Sequence, residues 1–188
     1  MSTKRTIISE DGEIDFSSVF VGVDNTKRRD KAPELKEPPL YLELGAGSGD
    51  WIVSQAQTNR NANYVSVELR ADRVAQTFAK SIINTSDRPL VNLCCVGSEC
   101  ASFLGRVKAH TIARVFVNHP EPPLQTGTFE EADVGNGNEH AHMLNSSTLA
   151  EIATCMKSNG GGEMIIVTDN RWYASLISKT LLKIMEKR

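Results

Sequence analysis

The chain has 188 residues, 40% of them hydrophobic and 23% charged, with a formal net charge of −2. That length favours one domain of ordinary size, and with only 6% aromatics its core must be built mainly from Val, Ile, Leu and Ala. The charge balance gives no whole-chain nucleic-acid footprint, and no window approaches the length of a membrane-spanning helix.

Residues 1–39 are polar and charged and read as an N-terminal arm or linker, with a domain over 40–188. Met1 to Glu13 carries acids and resembles neither a signal peptide nor a transit peptide. One apolar stretch, Ile14 to Val21, reads as an edge strand or a short docking segment. Lys27, Arg28, Arg29 and Lys31 follow it, and then Pro33, Pro38 and Pro39, a density that suits a linker.

From Leu40 the pattern alternates between strands and helices. Leu40 to Leu44 is a short apolar strand ending at glycines. Asp50 to Gln57 reads as a helix offering Trp51, Ile52, Val53 and Ala56 to the core. Tyr64 to Val67 is a strand. Ala71 to Ile83 is a helix whose Val74, Phe78 and Ile82, at i, i+4 and i+8, predict its buried face. Leu90 to Val96 is a strand and Ser98 to Val107 a short helix. Ile112 to Val117 is a strand stopped by Pro120 and Pro122. Asn145 to Asn159 is a helix with Ser146 and Ser147 as candidate N-caps and Gly160 as a C-cap. Glu163 to Thr168 is a strand, and Arg171 to Lys187 a final helix. The fold class is therefore α/β: a mostly parallel sheet with helices on both faces and ligands beyond the carboxyl ends of the strands. Glu121 to Leu144 breaks the rhythm. Its glycines, asparagines and acids predict a long mobile loop.

The four cysteines, Cys94, Cys95, Cys100 and Cys155, fit neither zinc-ligand spacing nor a small disulfide framework. They read as buried thiols of a reducing compartment, and no metal site is expected. The expectation is a soluble intracellular protein of nucleus or cytoplasm, without membrane contact.

Chemistry concentrates at the glycine-rich turn. Gly45, Gly47 and Gly49 follow a strand and precede a helix, so their backbone can approach a ligand closely. The spacing is G-x-G-x-G rather than the dinucleotide fingerprint, and Asp50 stands where that fingerprint has its last glycine. An acid there would repel a diphosphate and suit a cofactor bearing positive charge, such as a sulfonium with an α-ammonium group. Glu68, 25 residues after Glu43, ends the second strand, where an acid accepts bonds from ribose hydroxyls. The plainer reading is a surface glutamate beside Arg70. Glu99, just beyond the third strand, can reach an adenine edge or compensate a helix N-terminus.

Placed together, these pieces resemble the tRNA (guanine-N7)-methyltransferase family, whose pattern is E-I-G-S/C-G, then G-I/L-E, then N-A or D-A, then F-P-D-P, and later G-G and T-D. The matching residues run from Glu43-Leu44-Gly45-Ala46-Gly47 through Ser66-Val67-Glu68, Glu99-Cys100 and Asn118-His119-Pro120-Glu121-Pro122 to Gly161-Gly162 and Thr168-Asp169. The resemblance implies a Rossmann-like methyltransferase fold, S-adenosylmethionine as cofactor and tRNA as partner. It assigns Glu43, Gly45, Gly47, Gly49, Glu68 and Glu99 to the cofactor. Glu121 stands in for the catalytic-site aspartate and Asp169 for the family's substrate-binding aspartate, with a part in catalysis; Arg171, just after it, is a candidate substrate contact. Asp169 also reads as a possible N-cap of the last helix. Trp172 and Tyr173 are candidate stacking aromatics, and the Lys27 to Lys31 cluster a candidate phosphate contact.

Three departures qualify the match. Glu121 replaces aspartate, the family's basic run is absent after Pro123 with only His140 and His142 similar to it, and the chain ends before the family's C-terminal strand pair. Two other readings therefore stand beside the first: a cofactor-binding pseudoenzyme or assembly subunit, and a methyltransferase for another nucleobase or a small-molecule amine. A non-catalytic partner subunit that supplies basic surface is compatible with the first.

Overall fold

The computed structural model describes residues 8–16, 19–20, 38–83, 89–124 and 142–186. In chain order the elements are β1 (Leu40–Leu44), α1 (Asp50–Thr58), β2 (Asn63–Glu68), α2 (Ala71–Ile83), β3 (Leu93–Gly97), α3 (Cys100–Leu104), β4 (Ile112–Asn118), α4 (Ser146–Cys155), β5 (Glu163–Val167) and α5 (Arg171–Glu186). The strands form one sheet in the order β3-β2-β1-β4-β5, and every pairing is parallel. The order reverses between β1 and β4, so their carboxyl ends open the crevice where such sheets hold ligands.

Side-chain alternation along the strands builds two cores. Leu42, Leu44, Val65, Val67, Val115 and Val117 point to one face, where α3, α4 and α5 add Phe103, Leu104, Leu149, Ile152 and Leu176. Tyr41 and Tyr64 belong to a smaller cluster on the opposite face, with Ile52, Val53 and Ala56 of α1. Phe16 of the N-terminal segment is buried against Phe103, with ring centroids 6.0 Å apart, and Ile14 bridges to Val107. All four cysteines are free thiols.

Several expectations need correcting. Two of the three residues of the apolar stripe of α2 face outward: Phe78 is 58% exposed and Ile82 44%, whereas Val74 is half-buried beside Gly97 and Thr77 and Ser81 are buried. Small side chains let α2 approach the glycine turn closely, and Phe78 and Ile82 could not fit there. Leu90 to Asn92 precede β3 rather than forming its start, and α3 is only five residues long. Helix α4 stops at Cys155, because Met156 turns extended and bridges to Ile112 of β4. Its N-cap is Asn145, whose side-chain oxygen accepts from the Thr148 amide, and neither Ser146 nor Ser147 fills that place. Gly160 has φ +76 in the turn before β5, four residues beyond the helix's own cap.

Candidate active site

The β1 strand ends in a turn pinned to β2. The amides of Gly45 and Ala46 both donate to the carbonyl of Val67, at 2.9 and 3.1 Å. Glu68, 6% exposed, completes the attachment: its Oε2 accepts from the Gly47 amide at 2.8 Å and its Oε1 from the Arg70 amide at 3.0 Å. The surface-glutamate reading fails here, because Arg70 pairs with Asp72 instead, at 2.8 Å. A carboxylate has about four lone-pair sites, so Glu68 retains acceptor capacity beyond these two amides.

Helix α2 braces the turn from outside. Lys80 Nζ donates to the Ser48 carbonyl at 2.9 Å and to Asp50 Oδ1 at 2.6 Å. The bond from Lys80, then that from Ser48, holds the Asp50 carboxyl below the usual range. Asp50 is thus paired with a cation of α2 while its side chain stays largely exposed. Thr77 lies directly beneath Gly49 (φ +76); a Cβ there would come within 2.3 Å of its Oγ1.

Glu43 sits beside this turn at the switch between β1 and β4 and is 2% exposed. Its Oε1 accepts from Asn118 Nδ2 at 2.8 Å across that switch. Its Oε2 is buried with no hydrogen-bond partner among the described residues. Burial pushes the carboxyl up to about 7, while the Asn118 bond pulls it down. Sequence analysis assigned Glu43 to the cofactor but gave Asn118 no role, although it quoted Asn118 at the head of the Asn118-His119-Pro120-Glu121-Pro122 element.

Glu99 is the N-cap of α3. Its two oxygens accept the amides of Ala101 and Ser102 at 2.9 and 2.7 Å, and these bonds lower its pKa. Both oxygens are engaged with the helix end, as the plainer reading had it.

Past β4 and β5 the chain turns outward. His119 has φ 49 and its amide donates to the Val167 carbonyl at 2.7 Å, locking the two strand ends together. Glu121 is exposed. Asp169, with its side chain 92% exposed, lies 3.9 Å from His119 Nδ1. Asn170 rather than Asp169 caps α5, accepting from the Tyr173 amide at 2.9 Å. Trp172 and Tyr173 are buried, 6% and 0% exposed, so they pack α5 onto the sheet and offer no stacking face. Arg171 is exposed at the start of that helix.

The chain re-enters the core at His142, whose Nδ1 lies 3.0 Å from the Tyr173 hydroxyl. Met143 brings its sulfur within 3.4 Å of Cys100 Sγ and alongside Gly45. Leu144 is fully buried, so the end of the predicted loop is packed. Residues 125–141, with His140, and the Lys27 to Lys31 cluster lie outside the described residues.

Residues 37–187 match the model of the Methyltransf_4 family, described as "Putative methyltransferase". The chain belongs to this methyltransferase family. Among curated relatives, the tRNA (guanine-N(7)-)-methyltransferase of Chlamydia abortus is 38% identical over 84 residues, 45% of this chain and 36% of that protein. The protein of the same name from Mycoplasma genitalium is 28% identical over 94 residues, 50% of this chain and 44% of that one. The match thus spans less than half the length of these relatives. Among solved structures, a precorrin-6y C5,15-methyltransferase from Geobacter metallireducens superposes with a TM-score of 0.53 at 13% identity, covering 80% of this chain and 63% of that one. A geranyl diphosphate methyltransferase in complex with GPP and sinefungin gives 0.52 at 13% identity, covering 82% and 54%. Both likenesses concern the fold, and they agree with the Rossmann-like expectation. In this family member, Asn118 meets Glu43 and Gly47 meets Glu68 at the carboxyl edge of the sheet, while Glu121 and Asp169 follow the ends of β4 and β5 on the same edge. Among the described residues, no helix is long and apolar enough to cross a membrane.

Proposed function

We propose that the chain transfers a methyl group from S-adenosylmethionine to N7 of a guanine in tRNA. The observation that carries this reading is the buried carboxylate pair beside the glycine turn, in a chain whose curated relatives bear that activity in their names.

The residues suit the cofactor. Gly45 (φ 68) and Gly47 (φ 56) carry no Cβ, and the space a Cβ would take at Gly47 has no heavy atom nearer than 3.9 Å. Backbone can therefore approach a ligand closely there. Glu68 suits ribose hydroxyls with its remaining acceptor sites, and the unpartnered Oε2 of Glu43 suits an ammonium group. Gly49 serves by holding the turn against α2. Glu99 contributes from the end of β3 by fixing the start of α3.

When bound, S-adenosylmethionine supplies an electrophilic methyl group on a sulfonium. Guanine N7 presents a free lone pair and no proton, so the chain needs no general base. Its residues act through alignment and electrostatics. Glu121 and Asp169, on neighbouring strand ends, lend negative charge as the purine becomes positive, and Arg171 approaches the RNA backbone. With a chain net charge of −2, a non-catalytic partner subunit supplying basic surface fits this reading. The reaction belongs in a compartment that holds tRNA.

The test is methylation of total tRNA by purified protein, followed by borohydride–aniline cleavage to locate N7-methylguanosine. Cleavage at defined guanines supports the proposal. Cofactor binding without cleavage, alone or with candidate partners, removes the guanine-N7 activity and leaves a cofactor-binding subunit or a methyltransferase for another acceptor.

A further inference from the structure

Two side chains contributed from positions 75 residues apart meet where the strand order reverses: Glu43 at the end of β1 and Asn118 at the end of β4. A carboxylate that is 2% exposed with one oxygen unpartnered is costly to bury, and such atoms call for a missing partner. We infer that Asn118 is a positioning residue, which holds one oxygen of Glu43 and keeps the other charged and available for the α-ammonium of the cofactor's amino-acid end. This rests on the proposed cofactor and deepens it.

The physical chain is short. An amide N–H donated to a carboxyl oxygen favours the charged form, whereas burial favours the neutral one. Burial outweighs the amide and pushes the Glu43 carboxyl up to about 7, so its charged and neutral forms are close to evenly populated at neutral pH. A cation at Oε2 then selects the carboxylate, and a proton leaves as the ligand binds. Removing the Asn118 amide should move that balance to higher pH. Among the described residues, the other ionisable groups on this edge are engaged elsewhere. Glu68 is committed to two backbone amides, the Cys95 thiol is pushed up to about 11, Asp50 is paired with Lys80, and His119 faces Asp169 beyond the strand ends.

The experiment is calorimetric titration of S-adenosylhomocysteine, which keeps the α-ammonium but has no transferable methyl. It compares wild type, Asn118→Leu and Glu43→Gln between pH 6 and 8.5, in two buffers of different ionisation enthalpy. Wild-type affinity should rise on the order of tenfold across neutrality, with proton release at the acid end. Asn118→Leu should bind on the order of tenfold more weakly at pH 7, recover toward wild type at pH 8.5, and show its rise displaced upward. Glu43→Gln should bind weakly with a flat profile, and it carries the test should Asn118→Leu not fold. Affinities of Asn118→Leu within twofold of wild type at every pH, or a wild-type slope in Glu43→Gln, overturn the inference alone. No binding by wild type at any pH overturns the cofactor reading and this inference with it.

Discussion

Gly47 and Gly49 share one turn and both have positive φ, yet alanine should act chiefly on stability at Gly49 and chiefly on ligand binding at Gly47. At Gly49 (φ +76) the new Cβ would meet Thr77 Oγ1 at 2.3 Å, Cγ2 at 2.4 Å and Cβ at 2.7 Å. Thr77 is β-branched, fully buried in α2, and its hydroxyl donates to the Arg73 carbonyl, so no rotamer change clears the clash. The helix must shift. Left-handed strain of about 1–2 kcal/mol adds to an overpacking cost of about 1–3 kcal/mol. An offset of roughly 0.5–1 kcal/mol comes from the stiffer unfolded chain. The net is about 3 kcal/mol, or roughly 6–12 °C in melting temperature for a domain of this size. At Gly47 (φ +56) the nearest heavy atom would be 3.9 Å away, so only the strain remains and stability should fall by about 1 kcal/mol. Gly47 faces the proposed cofactor, however, so Gly47→Ala should weaken S-adenosylhomocysteine binding more than it lowers stability. Thermal and urea unfolding of both variants, with calorimetry of the ligand, measures this crossing pattern. Equal melting temperatures for the two variants would refute the reasoning about Thr77.

Glu68→Ala removes the acceptor of the Gly47 and Arg70 amides as well as the proposed ribose contact. Cofactor affinity should drop by about 1.5–3 kcal/mol, and unchanged affinity by calorimetry would remove Glu68 from the site. Glu99→Ala should cost about 1 kcal/mol as a lost N-cap. The folded carboxyl lies below its ordinary value of 4.5, so this contribution is fully present above that pH and is lost as pH falls through the lower folded value. Urea unfolding of wild type and Glu99→Ala should therefore differ at pH 7 and converge in acid; a constant gap down to pH 3 would contradict the capping role. Glu121→Gln keeps its shape and loses its charge. It should retain cofactor affinity but lower single-turnover methylation by about 2–4 kcal/mol, on the order of 10²–10³ in rate. Equal rates would leave Glu121 as a turn residue.

Local sequence signals decided the order and kind of every element. Alternation in Leu40 to Leu44 and Ile112 to Val117, helical spacing in between, and glycine or proline at the borders depend on neighbours a few residues away. The glycine turn and the acids at the strand ends were visible for the same reason: parallel connections bring all those ends to one edge. Ends of elements were less legible. Helix α4 stops at Cys155 because Met156 bridges to β4, a partner more than forty residues back in the chain.

What only the tertiary structure decided is which face or atom meets which. The spacing of Val74, Phe78 and Ile82 marks an apolar stripe on α2, but spacing holds no information on what the helix packs against. Gly49 requires a close, small surface, so Thr77 and Ser81 turn inward and the larger residues turn out. Trp172 and Tyr173 look alike as stacking rings or core anchors until α5 is laid on the sheet, where burying large apolar area prevails. Asn118 holds Glu43 only because β4 inserts beside β1 rather than at the outer edge of β3. A sequence carries local propensities, whereas hydrogen bonds across 75 residues exist only after the strand order is chosen.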